Sequence, residues 1–181
     1  MIHEQKIKYF NIFLRQIEKC DLETIRKWRN DSKNTRFLTK IPHISPDMQK
    51  EWFDRYLDNQ NEMFFVIEET KELKRLVGSL ALYNFDKDKV EFGKFIIGDE
   101  DAHGKKIGLK AVKAILLIAF NILEMSQVYL HVYDKNVAAI RVYMKAGFKV
   151  VSEHRDSLGC REYVMSIEKQ EFLSVLEENY A

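Results

Sequence analysis

The stretch Gly98-Asp99-Glu100-Asp101-Ala102-His103-Gly104-Lys105-Lys106-Ile107-Gly108 lies where the hydrophobic period of the chain changes. Before it, Lys89 to Ile97 has the apolar density of a strand. After it, Ile107, Ala111, Ile115, Ile118 and Ile122 recur at helical spacing over about 20 residues. A strand handed to a long helix that begins near Lys105, through a glycine-bearing turn, leaves the first helical N–H groups unpaired at the positive end of the macrodipole. That arrangement holds phosphates. Gly104 and Gly108 let a ligand approach the backbone, and Lys105 and Lys106 add charge beside it. The stretch is neither a P-loop, which needs Lys-Ser or Lys-Thr, nor a GxGxxG dinucleotide fingerprint. A glycine-bearing turn with two solvated lysines is the competing structural reading.

Upstream, Met63 to Glu68, Leu76 to Phe85 and Lys89 to Ile97 form three strand-like runs with short charged gaps, the pattern of an antiparallel meander. Ile12 to Ile17 is the first strand. Asp21 caps a short helix whose inner face is Leu22, Ile25 and Trp28, and Ser45-Pro46 opens a second that runs to about Asp58 with Trp52, Phe53 and Tyr56 inward. Downstream come a strand from Val128 to Tyr133 and a helix from Asn136 to Lys145. A hairpin of Phe148 to Glu153 with Glu162 to Glu168 closes the sheet around Asp156-Ser157-Leu158-Gly159, and Lys169 to Tyr180 forms a helical tail. A meander feeding strand-helix-strand-helix predicts an α/β fold of three layers around a mixed sheet. Two prolines, seven glycines and no Ser/Gly linker predict one domain over 1–181, with a core of about 12–168 and a tail of 169–181.

Composition narrows the partners. Lys and Arg total 29 against 28 Asp and Glu, a net charge of +1, which argues against nucleic acid as the main partner. Cys20 and Cys160 form no CxxC pair, and none of His3, His43, His103, His131 and His154 pairs as HxxxH or HExxH, so no metal is expected. The longest apolar run, Ala114 to Phe120, is far short of a membrane span, and the N-terminus lacks the apolar core of a signal peptide. The cytoplasm is the expected compartment.

A second constellation follows the long helix. Asn136, Ala139, Ile140, Tyr143 and Gly147 share one helical stripe, with Phe148 next. Asn136 as an N-cap, Gly147 as a left-handed C-cap and Tyr143 as a core tyrosine would explain the stripe without function. Together with the Gly98–Gly108 turn, however, it resembles the GCN5-related N-acetyltransferase (GNAT) superfamily. That family's later motif is close to Asn-x-x-Ala-Ile-x-x-Tyr-x-x-x-Gly-Phe. Its earlier motif, Gln/Arg-x-x-Gly-x-Gly/Ala, is matched less fully: His103 stands at the Gln/Arg position, Lys106 at the first glycine and Gly108 at the last.

The resemblance implies a sheet splayed between its fourth and fifth strands, here Lys89–Ile97 and Val128–Tyr133, with helices on both faces. It implies acetyl-CoA as co-substrate and no metal. Pantetheine would pair with Ile96, Ile97 and Gly98, and pyrophosphate with the N–H groups of His103, Gly104, Lys105, Lys106, Ile107 and Gly108. Asn136 and Tyr143 complete the cofactor contacts. Tyr143 would protonate the departing thiolate, and Glu91 or His131 would take the proton of the amine. Trp28-Arg29-Asn30 is similar to a signature of enzymes that acetylate 4-amino sugars on nucleotide carriers, which makes these residues the expected acceptor site. The acceptor is therefore expected to be a small-molecule amine, best read as such a sugar. Protein N-termini, polyamines and a non-catalytic acyl-CoA-binding module are the alternatives. The chain as a whole is similar to the branch of the superfamily containing ribosomal-protein, spermidine and amino-sugar acetyltransferases, and a homodimer is allowed.

Overall fold

A computed structural model describes residues 5–37, 42–156 and 158–178. Eight strands form one sheet: β1 Lys6–Tyr9, β2 Ile12–Gln16, β3 Glu62–Glu69, β4 Arg75–Asp86, β5 Lys89–Ile97, β6 Gln127–Tyr133, β7 Lys149–Arg155 and β8 Arg161–Glu168. Their spatial order is β1-β2-β3-β4-β5-β6-β8-β7. All neighbours are antiparallel except β5 and β6, which are parallel and joined only where Lys89–Glu91 meets Gln127–Tyr129. The mixed sheet is splayed where expected, between Lys89–Ile97 and the strand containing Val128–Tyr133, which count as the fifth and sixth strands because one more precedes them. The additional strand is β1, a charged edge of alternating Lys6, Ile7, Lys8 and Tyr9. It pairs with β2 through a tight turn in which Phe10 takes a positive φ of 54°.

Helices α1 Leu22–Asn30, α2 Ser32–Thr35 and α3 Pro46–Asp58 precede the meander, and α4 Ile107–Leu117, α5 Val137–Ala146 and α6 Lys169–Glu178 follow it. The main core lies between the sheet and the later helices, where Ile107, Ala111, Ile115 and Phe172 meet Leu80, Phe92, Val128 and Met165. A smaller core of Ile25, Phe53, Tyr56, Phe64 and Val66 places α1 and α3 on the other face. Ser45 caps α3 as expected, accepting from the Met48 amide at 3.2 Å.

Three local expectations need correction. Asp21 occupies the N-cap position of α1 but makes no side-chain cap bond. Its carboxylate instead receives both terminal nitrogens of Arg15, at 2.7 and 2.9 Å, and the Glu18 amide. The long helix starts at Ile107 rather than near Lys105, because Lys106 is left-handed at its N-cap. Its last turn widens into a π-helical segment, Ile118–Ile122.

Candidate active site

The cleft originates in a β-bulge. Ala81 pairs with Gly93 and Ser79 with Ile96, so β5 carries an extra residue, and Lys94 takes φ 51° there. A bulge bends its strand and increases its twist. Beyond the bulge, β5 diverges from β6, which it last meets at Glu91 and Tyr129. The turn that follows is pinned from below. Val77 O accepts from the amides of Gly98 and Asp99, and Arg75 bridges Asp99 and Asp101. The Arg75 bond holds the Asp99 carboxyl below its ordinary pKa. Gly104 and Lys106 then take left-handed φ of 77° and 58°. These two reversals aim the start of α4, where the helix's own bonding begins with Lys110 N to Lys106 O.

Of the residues expected to hold acetyl-CoA, Ile96, Ile97, His103, Gly104, Lys106, Ile107, Gly108 and Asn136 line one cavity of about 720 Å³. A side chain on Gly108 would meet only Phe95, at 3.5 Å, so its absence is not a packing requirement and leaves the backbone open to the cavity. His103 Nε2 lies 3.0 Å from Ile97 O. Gly98 and Lys105 do not line the cavity. A side chain on Gly98 would collide with the ring of Trp28, and Lys105 is paired with Glu72 on the surface.

The sequence reading misses one wall. Lys33, Asn34, Arg36 and Phe37, on and after α2, line the cavity opposite Lys106 and Lys145, and no Asp or Glu lines it among the described residues. The succession of cations in the loop after Asn30 was the available signal.

Tyr143 is buried and does not line the cavity. Its ring packs edge-on against Phe92 at 5.8 Å and adjoins Phe95, a lining residue, at 6.5 Å. Burial alone pushes the pKa of its hydroxyl well up. Glu91 lies on the opposite face of β5 from the buried Val90 and Phe92. Its carboxylate accepts from Tyr83 Oη at 2.9 Å and Asn84 Nδ2 at 2.8 Å. Burial first, and the Glu91 charge second, keep Tyr83 protonated as a donor. His131 is exposed, with its ring 6.1 Å from that of Tyr129.

The expected acceptor triplet divides. Trp28 packs on Gly98. Asn30 uses its side chain on backbone, donating to Ile44 O at 2.9 Å and accepting from Ile44 N at 2.8 Å, so it fastens the chain entering α3. Arg29 lines a second cavity of about 270 Å³ beside Trp52, Gln49 and Arg55. Burial lowers the pKa of Arg29, and the buried Gln49 Nε2 has no hydrogen-bond partner among the described residues.

Comparison with known proteins agrees with this architecture. A family model described as an acetyltransferase (GNAT) domain matches residues 11–149. The chain is 29% identical to spermidine N(1)-acetyltransferase of Escherichia coli strain K12 over 143 residues, covering 79% of this chain and 75% of that protein. It is 23% identical to acetyltransferase PseH of Campylobacter jejuni over 141 residues, covering 78% and 85% respectively. Among solved structures it is similar to spermidine N-acetyltransferase from Vibrio cholerae in complex with CoA and spermine, with a TM-score of 0.81, 24% identity and coverage of 90% and 98%. It is also similar to FdhC, a nucleotide-linked sugar GNAT in its apo form, with a TM-score of 0.82, 20% identity and coverage of 98% and 97%.

Proposed function

The chain belongs to the GNAT acetyltransferase family, and on that premise we propose that it acts as one domain to acetylate the primary amine of a nucleotide-linked amino sugar. The observation that carries the acceptor is the charge of the walls. Lys33, Arg36, Lys106 and Lys145 line the main cavity and Arg29 and Arg55 the second, with Glu51 the one acid among the described lining residues of either. Part of this charge serves the phosphates of CoA. Arg29 of α1 and Arg55 of α3 line one cavity together and suit the diphosphate of a nucleotide carrier, because a guanidinium grips phosphate oxygens with two hydrogen bonds.

Acetyl-CoA supplies the acetyl group as a reactive thioester. The open first turn of α4 and the flanking lysines receive its pyrophosphate, and the bare edge of β5 at Ile96 and Ile97 receives its pantetheine amides. Glu91, held by Tyr83 and Asn84, accepts the proton that the attacking amine must lose. Tyr143 gives a proton to the departing sulfur. The phenol is protonated at physiological pH, as a donor must be, and burial, by raising its pKa, makes it a weaker acid than a free tyrosine.

A polyamine acceptor is the second reading. It is favoured by the carboxylates Glu91 and Glu62 on the sheet side and by the relatives named as spermidine acetyltransferases. Acetylation rates on an amino-sugar nucleotide, spermidine and an N-terminal peptide distinguish the readings. The sugar nucleotide is expected to give the highest kcat/KM, and a clear preference for spermidine would replace this proposal with the second reading.

A further inference from the structure

Away from the cleft, the sheet assembles three side chains that are far apart in sequence. His131 is on β6, Glu162 on β8 and His154 on β7. The register pairs His154 with Glu162, and Glu162 with Tyr133, two residues along from His131. Period-two alternation therefore brings all three to the face of the sheet away from the buried Val128, Leu130 and Val132. Glu162 Oε2 lies 3.1 Å from His154 Nε2 and 3.7 Å from His131 Nδ1, and one ligand atom from each residue falls within 4.8 Å of the other two.

We propose that His131, His154 and Glu162 form a binding site for a divalent transition-metal ion of the zinc class. The distances carry the inference. Ligand bonds of about 2.0–2.2 Å at tetrahedral angles place donor atoms about 3.3–3.5 Å apart. The two Glu162 separations bracket that value, and the two imidazole nitrogens, within 4.8 Å of each other, close on a common ion by rotation of the exposed His131 and His154 rings. The donor chemistry agrees, since two imidazoles and one carboxylate suit zinc and its neighbours rather than magnesium or calcium, which prefer oxygen. The site is accessible, because His131 and His154 are exposed and Glu162 is half-buried.

The adjacent cation Arg161 does not compete. Arg161 points to the other face of β8, where it pairs with Glu153 and lies over the ring of Tyr163. Tyr133 donates its hydroxyl to Asp156 and so has a partner outside the cluster. Three protein ligands leave a fourth position for water.

Such an ion would clip together the outer three strands. Every residue of the edge strand β7 is exposed, so β7 has little burial to hold it. The inference does not depend on the acceptor assignment or on catalysis.

Titration of the purified full chain with cobalt(II), then with zinc against a chromophoric chelator, tests it. One equivalent is expected to bind. The cobalt spectrum should be that of a low-coordinate nitrogen and oxygen site, without the thiolate charge-transfer band that Cys20 or Cys160 would add. His154→Gln and Glu162→Gln should each weaken binding by at least about tenfold, the scale seen even for partners one shell further out, while His43→Gln should not. His154 and His43 tolerate glutamine on exposure grounds, glutamine keeps the volume of the half-buried Glu162, and melting curves verify folding. Zinc should also slow amide exchange across Lys149–Arg155 in the parent and not in Glu162→Gln. Absence of stoichiometric binding, a thiolate spectrum, or affinity indifferent to both substitutions would overturn the proposal.

Discussion

At the scale of single residues, the ring of Tyr143 is packed among Phe92, Phe95 and Phe148. The same burial that raises its pKa gives it no hydrogen bond or charged neighbour that acts on its proton. With no hydrogen bond to lose among the described residues, Tyr143→Phe is a clean substitution. The ring contacts persist, so the melting temperature is expected to stay within a few degrees and acetyl-CoA affinity to change little. If Tyr143 delivers the proton to sulfur, the chemical step should slow by about 10²–10⁴-fold, the range for a positioned acid. Single-turnover kinetics on a preparation with a verified melting curve measures this. An unchanged chemical step in the folded variant would make Tyr143 a core residue only. The expectation of such a role comes from the Asn136–Phe148 stripe, which does not show the depth of the ring. Helical spacing gives the face a side chain shares, not the thickness of what covers it.

At the scale of elements, the cleft is made by two backbone irregularities flanking a regular strand-to-helix passage. The passage was legible because the hydrophobic period changes at Gly98. The bulge at Lys94 was not, because apolar residues continue through Val90, Phe92, Phe95, Ile96 and Ile97 and a one-residue insertion leaves no mark on composition. The left-handed Lys106 was hidden for a related reason: lysine is not a residue that announces positive φ. β1 escaped notice as a four-residue edge with two lysines.

The start of α4 yields the prediction that belongs here. A Cβ at Gly108 touches Phe95 only at ordinary van der Waals distance, so Gly108→Ala should fold normally. Gly108→Val adds methyl groups on the cavity side at a helix-propensity cost of about 0.5 kcal/mol relative to alanine. Its melting temperature should fall by a few degrees at most, while the Kd for acetyl-CoA rises by at least about tenfold. Lys105→Ala should change that Kd only slightly, because its ammonium group is paired with Glu72 and exposed charge is screened. Calorimetric titration of the three variants checks the order. A larger loss for Lys105→Ala than for Gly108→Val would show that side-chain charge, rather than open backbone, holds the pyrophosphate.

At the scale of the whole molecule, helix α4, which follows the Gly98–Lys106 turn, is tied to the far part of the sheet through one buried carboxylate. Glu69, at the end of β3, accepts from Asn11 Nδ2 at 2.6 Å and from the amides of Leu73, Glu72 and Lys71 at 2.6, 2.8 and 3.1 Å. Asn11 accepts in turn from Lys110 of α4 at 2.5 Å. The β1–β2 turn, the β3–β4 turn and α4 therefore share one polar junction. Burial by itself would raise the pKa of Glu69, but the Asn11 amide and the three backbone donors outweigh it and bring it to about 2, from an ordinary value of 4.5. A carboxylate whose pKa is lower in the folded chain than in the unfolded one stabilises the fold above its unfolded pKa. That contribution fades as pH falls from about 4.5 towards 2. Glu69→Gln puts an amide NH₂ where an oxygen received the turn's N–H groups, so the variant should already melt lower at pH 7. Its melting temperature should then depend less on pH between 5 and 2 than that of the parent. Other carboxylates held low by partners, such as Asp99 and Glu171, persist in both proteins and cancel in the difference. Melting curves of the two proteins recorded across that range are expected to converge towards low pH, and parallel curves would mean that the junction is not held by the charge of Glu69.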